Sequence, residues 1–106
     1  MIGIVALLAG CSQPAADIES QIDALYDKMS MEERIAQLRS GYMDELFDSE
    51  GNLDTALCRQ MIPYGIGHFS QYASQKPTDP NVLRDRVAAM QDWLMRNTPN
   101  GIPALF

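Results

Sequence analysis

Apolar residues recur at helical spacing in four stretches of the chain. From Asp17 to Met29, the residues Ile18, Ile22, Leu25, Tyr26 and Met29 fall on one stripe with acids on the other face, which predicts an amphipathic helix. Ser30-Met31-Glu32-Glu33 has the form of a capping box, in which serine and glutamate each satisfy a free backbone N–H. A second helix starts there, with Met31, Ile35 and Leu38 as its apolar face and Ser40-Gly41 as its end. Leu53, Leu57, Cys58 and Met61 mark a short third helix with Asp54 in its first turn, stopped by Pro63. Asp79-Pro80 pairs an N-cap acid with proline at the first helical position. From there Leu83, Val87, Met90 and Leu94 repeat on one face to about Arg96, with Arg84, Asp85 and Asp92 off it.

Two stretches read as strands. Ile62 to Phe69 leads into one, over Tyr64–Phe69, although Gly65 and Gly67 weaken a strand unless backbone or ligand approaches closely. A polar loop with Pro77 follows from Ser70 to Thr78, and Thr98-Pro99-Asn100-Gly101 has turn composition. Ile102–Phe106 is the second strand. A strand, a long amphipathic helix and another strand predict a right-handed βαβ crossover, hence an α/β fold with a parallel sheet.

Composition places the chain among globular proteins: 106 residues, 46% hydrophobic and 21% charged. A net charge of −6, with eight basic residues scattered among fourteen acids, argues against nucleic-acid binding, which needs clustered Lys and Arg. The acidic segment from Asp48 invites comparison with a calcium loop. Its sixth position is Leu53 rather than glycine and its twelfth is Arg59 rather than glutamate, so the EF-hand geometry is not met. The segment reads as a solvated acidic loop.

The first ten residues carry no charge. Their apolar run is too short to span a bilayer, which takes about 20 helical residues; a signal-peptide core and a buried strand both fit it. It closes with Leu8-Ala9-Gly10-Cys11, which resembles the lipobox of bacterial lipoproteins. The resemblance implies a signal peptide over residues 1–10, lipidation at Cys11 and a tether over residues 11–17, on an exported protein whose contact with the membrane is its lipid anchor. No Lys or Arg precedes the run, a departure from the usual signal peptide. With Cys11 lipidated, Cys58 has no disulfide partner.

After the tether, Lys28-Met29-Ser30-Met31-Glu32-Glu33-Arg34-Ile35-Ala36-Gln37-Leu38 is similar to the "K-M-T-L-E-E-K-I-G-Q-L" run of glycoside hydrolase family 3. Gly65-Ile66-Gly67-His68 falls where its first barrel strand is expected, and Gly101-Ile102-Pro103-Ala104-Leu105-Phe106 is similar to its "G-I-P-A-L-F" strand. Spread over residues 18–106, the resemblance implies N-terminal helices plus the first βαβ unit of a TIM-like (β/α)8 barrel, truncated. It further implies hydrolysis of O-glycosyl bonds in β-linked glucosides or xylosides with retention, and a carbohydrate substrate for the full-length enzyme. The family's nucleophile and acid/base motifs are absent from this sequence.

Retaining hydrolysis needs two carboxyl groups about 5 to 5.5 Å apart. The acids here sit mostly on polar helix faces or in the acidic loop, so no residue is assigned a catalytic role, and neither a metal nor a cofactor is expected. His68, the single histidine, falls at the C-terminal end of the expected strand, the rim where barrel enzymes build their sites. A packed imidazole is the plainer reading. A Cys58–His68 nucleophilic pair lacks an orienting acid, and Trp93, placed beside Leu94, reads as helix packing. A barrel takes about 250 residues, so the isolated chain is expected to be helical, poorly packed and inactive. The alternative is a small membrane-tethered, non-enzymatic lipoprotein that binds a partner through Leu83, Val87, Met90 and Leu94.

Overall fold

The computed structural model describes residues 15–70 and 79–106. The signal peptide, Cys11, most of the tether and residues 71–78, which hold Tyr72 and most of the loop with Pro77, lie outside the described residues. Within them the elements run α1 (Ala15–Lys28), α2 (Met31–Gln37), β1 (Ser40–Tyr42), a 3-10 helix (Met43–Leu46), α3 (Thr55–Met61), β2 (His68–Ser70) and α4 (Pro80–Asn97).

Local chemistry sets most of the boundaries. The Ser30 hydroxyl accepts from Glu33 N at 3.1 Å and the Glu33 carboxylate accepts from Ser30 N at 3.0 Å, so the capping box that opens α2 is complete. Asp54 caps α3 by accepting from Leu57 N at 2.9 Å. Asp79 caps α4 by accepting from Asn81 N at 2.7 Å, ahead of Pro80. Thr98 closes α4, its hydroxyl donating to the Leu94 carbonyl at 2.7 Å.

β1 and β2 pair in parallel, with Ser40 opposite His68, Gly41 opposite Phe69 and Tyr42 opposite Ser70. A parallel bridge joins His68 to Leu105 on the other side of β2. It is made by Phe69 N donating to the Leu105 carbonyl at 2.8 Å and Leu105 N donating to the Gly67 carbonyl at 2.9 Å. The C-terminal segment of residues 102–106 therefore lies along β2, and the order β1, β2, C-terminal segment follows the chain. Two crossovers build it, one carrying α3 and one carrying α4.

The core lies on one face of this sheet. Phe69 and Ile66 meet Cys58 and Ile62 near α3 and Met90, Trp93 and Leu94 from α4. Met90 and Leu94 are 0% exposed, so the helix face that would serve a binding module is the face packed on the sheet. That reading is corrected: α4 turns this stripe inward because burying it is the main apolar gain open to the crossover.

Three further expectations differ from the structure. Ser40 and Gly41, expected to end a helix, begin a strand, because α2 already stops at Gln37. Between β1 and the acidic loop from Asp48, Met43 and Leu46 of the 3-10 helix enter the core, while Asp48, Ser49, Glu50 and Asn52 are exposed. The expected apolar face of α2 points outward, Met31 and Ile35 being 64% and 54% exposed and Leu38, at the C-cap, 88%, while Glu33 and Ala36 are buried; Gly67 approaches the α2 backbone, its N–H donating to the Ala36 carbonyl at 3.1 Å. The α1 stripe of Ile18, Ile22, Leu25 and Tyr26 is likewise exposed. The α1–α2 corner is held instead by Arg34, which stacks 3.9 Å from the Tyr26 ring centroid and donates to the Tyr26 carbonyl at 2.9 Å.

Candidate functional site

Because side chains alternate across a strand, the register fixes two faces. Gly41 and Phe69 point to the helix side. Ser40, Tyr42, His68 and Ser70 point to the other, joined there by Leu105, which pairs with His68. On this open face the Ser40 hydroxyl lies 2.9 Å from His68 Nδ1 and 3.4 Å from the Ser70 hydroxyl, a small hydrogen-bonded group at solvent. His68, Ser40, Tyr42 and Leu105 are all exposed.

His68 opens β2 rather than closing it. The expectation placed it at the end of a strand over Tyr64–Phe69, but that stretch turns: Gly65 holds φ 86 and its N–H donates to the Ile62 carbonyl at 3.0 Å. Positive φ is a conformation only glycine adopts freely, so the chain bends at Gly65 and becomes extended from His68. The residues at the C-terminal ends of the paired strands are Tyr42 and Ser70.

Cys58 is 0% exposed in the core, on the side of the sheet opposite His68. Burial, reinforced by the Asp54 charge, pushes its thiol up to about 11, which removes the thiolate a nucleophile needs. The sheet separates the two residues, and they form no catalytic pair. Trp93 is buried in the helix-side core, a packing residue as its neighbour Leu94 implied.

Glu33 is the one buried acid among the described residues, 3% exposed. Its carboxylate accepts from Ser30 N at 3.0 Å, from Asn100 N at 3.2 Å and from Asn100 Nδ2 at 2.9 and 2.8 Å. The S-x-x-E spacing announced the first of these bonds; nothing in the sequence announced Asn100. Asp48 is also committed to backbone, its Oδ1 accepting from Glu50 N and Asn52 N at 2.9 Å, which makes the acidic segment a tight turn closed by the Phe47–Leu53 bridge. Among the described residues no group of three or more His, Cys, Asp or Glu could hold a metal ion, and no helix is long and apolar enough to cross a membrane.

An open hollow of about 330 Å³ lies between this turn and α4, lined by Phe47, Glu50, Asn52, Val82, Asp85 and Arg86 among others. Arg86 closes over the Phe47 ring at 5.5 Å and pairs with Asp44 at 3.3 Å. None of the residues of the open sheet face lines it.

No family model matches the sequence. Over 98 residues the chain is 34% identical to a protein of Formosa agariphila provisionally named as a beta-xylosidase. The similarity covers 84% of this chain and 12% of that protein. It supports a relationship to a glycoside hydrolase. The chain thus spans a small part of the length of the curated relative it matches.

Proposed function

We propose that the chain is the amino-terminal portion of an exported family 3 glycoside hydrolase, which cleaves β-linked xylosides or glucosides with retention. The observation that carries this reading is the similarity to the named beta-xylosidase along most of the chain. The fold is compatible with it. Parallel strands in chain order, each followed by a helix-bearing crossover on the same side of the sheet, are how a (β/α)8 barrel begins. The catalytic carboxylates come from elsewhere in the enzyme: the buried acid Glu33 is consumed by Ser30 and Asn100. Cys11 carries the lipid that anchors the protein at the membrane surface facing periplasm or exterior.

The test is a graft. Residues 15–106 replace the matching segment of the Formosa agariphila protein, and turnover of p-nitrophenyl β-xyloside and β-glucoside is followed, with the product anomer read by NMR. Turnover by the graft with a β product first formed, and none by the 106-residue chain alone, is the expected result. A folded graft that hydrolyses neither substrate, beside an active parent, overturns the reading. Incorporation of labelled palmitate into the chain in bacterial cells, lost in Cys11→Ser, tests the anchor separately.

A further inference from the structure

We infer that Asn100-Gly101 is a self-modification site which the Glu33 carboxylate holds shut: where that contact opens, Asn100 loses its side-chain amide and becomes aspartate or isoaspartate, after which the turn cannot close again. The inference stands apart from the glycosidase reading.

Asparagine followed by glycine is the dipeptide in which this reaction meets least obstruction, because glycine puts no side chain in the path of its own backbone nitrogen and bends freely. The Gly101 nitrogen, on losing its proton, attacks Asn100 Cγ. The N–Cγ bond forms, the Cγ–Nδ2 bond breaks, and Nδ2 leaves as ammonia with that proton. Water then opens the resulting ring at one of its two carbonyls, giving aspartate or, with the main chain rerouted through the side chain, isoaspartate. Water is the one reagent consumed.

Both halves of the dipeptide are imposed by the fold. Gly101 holds φ 59, and a Cβ there would lie 2.6 Å from the Met95 carbonyl oxygen, so a side chain is excluded on both counts. Position 100 must offer donors to the Glu33 carboxylate, which is buried. Asn100 does so through its N–H at 3.2 Å and through Nδ2 at 2.9 and 2.8 Å, whereas an ionised aspartate side chain only accepts. The structure therefore requires a labile pair and restrains it. Nδ2 is pinned to Glu33, the Gly101 N–H is spent on the Thr98 carbonyl at 3.3 Å, and the Glu33 charge opposes the anion that forms on the Gly101 nitrogen.

The product undoes what restrained it. Aspartate at this position sets a second carboxylate against Glu33, like charges with no donor between their side chains. Isoaspartate also lengthens the turn by a methylene where Gly101 lies tight on Met95. Beyond the turn Leu105 bonds to the Gly67 carbonyl and the Phe69 N–H at 2.9 and 2.8 Å, so an opened turn loosens the C-terminal segment from β2.

Trypsin releases residues 97–106 as one peptide, in which Asn97, followed by Thr98, is an internal control. The 106-residue chain and the graft described above are held in mildly alkaline buffer with and without denaturing urea. Conversion of each asparagine is followed by mass spectrometry, and isoaspartate by methyltransferase labelling. Asn100 is expected to convert in urea and at least about tenfold more slowly in the folded protein, as a locally closed site does, while Asn97 lags in urea. Folded Glu33→Ala should convert at least about tenfold faster than the folded parent, the weight of one hydrogen bond to a charged group. Equal rates with and without urea in the chain and the graft alike overturn the inference, as does a folded Glu33→Ala that converts no faster. Should Glu33→Ala not fold, the product itself decides. Asn100→Asp is expected to have a lower urea midpoint than Asn100→Ala, and adding Glu33→Gln to Asn100→Asp, which exchanges donor and acceptor, is expected to raise it again. An Asn100→Asp chain as stable as the parent, or one that Glu33→Gln does not rescue, overturns the inference.

Discussion

The Glu33 carboxylate binds Asn100 through both the backbone N–H and the side-chain amide, across 67 residues of chain. With the same carboxylate it caps α2 through Ser30 N. One buried acid therefore ties the start of α2 to the turn that launches the C-terminal segment. Replacing it opens one half of the capping box, the Ser30 hydroxyl keeping its bond to the backbone N–H of residue 33, and removes charge-assisted hydrogen bonds of about 1.5–3 kcal/mol. Glu33→Ala is expected to lower stability by about 2–4 kcal/mol, followed by the fluorescence of Trp93 in urea. In a double-mutant cycle with Asn100→Ala the losses should fall short of additive by about 1–3 kcal/mol; strict additivity would show that the two residues act independently.

Gly67 has no room for a side chain. A Cβ there would meet the Gln37 carbonyl oxygen and carbon, the latter at 2.7 Å, both backbone atoms that cannot swing away. Gly67→Ala should therefore separate α2 from β2 and cost more than the ~1–3 kcal/mol of ordinary overpacking. Gly65→Ala, where φ is 86 and the nearest atom is the Gln37 side-chain nitrogen at 3.5 Å, should cost only the ~1–2 kcal/mol of the left-handed conformation. Urea midpoints of the two variants give the order, and the reverse order would refute the close approach.

The Gln91 side chain grips Ala104 at both of its backbone groups, donating to the carbonyl at 2.7 Å and accepting from the N–H at 2.9 Å. It does for this residue what a neighbouring strand would. Gln91→Leu keeps the bulk and strips both partners, at about 1–3 kcal/mol for the polar groups left unmatched. The expected readout is faster hydrogen exchange at Ala104 and Leu105 with the core around Trp93 unchanged. Unaltered exchange would mean that the β2 pairing alone holds the segment.

Cys58 predicts a pH dependence. Its thiol is raised from the ordinary 9.0 to about 11, so between these values the unfolded chain gives up a proton that the folded chain retains. Fewer protons on the unfolded state means stability falls with rising pH. The contribution is intact below about pH 9 and declines by roughly 2–3 kcal/mol by about pH 11. Cys58→Ala should flatten the alkaline limb of the stability profile. An unchanged limb would place the loss on other groups, and rapid reaction of native Cys58 with Ellman's reagent would contradict its burial.

Helix starts were legible where a side chain completes its own cap: Ser30 with Glu33, and Asp79 before Pro80, act as their spacing implies, whereas Asp54, expected inside the first turn of α3, stands just ahead of it as its N-cap. These interactions span three residues or fewer, so the local sequence contains both partners. The long amphipathic stripe of α4 was legible for the same reason, and Met90 and Leu94 are buried as a stripe of that kind requires. Reading direction from pattern failed for α2, whose apolar residues face out, because Glu33 and Ala36 are chosen by contacts with Asn100 and Gly67 from distant parts of the chain.

The sheet was the least legible part. Ser40-Gly41-Tyr42 has neither alternation nor β-branched residues, and it becomes a strand only because β2 arrives alongside it. His68 likewise owes its place to pairing and to the turn at Gly65, which move the strand to begin where the sequence had it ending.

By itself, then, the sequence determined where α2 and α4 begin and which stripe of α4 turns inward, since each depends on a neighbour within a turn or two. Only the tertiary structure decided that Ser40, His68 and Ser70 share one face, that Cys58 lies across the sheet from them, and that Glu33 belongs to Asn100. Strand register and long-range polar pairing depend on which backbones meet, and that meeting is settled by burying the α3 and α4 faces together, a sum over the whole core that no single stretch encodes.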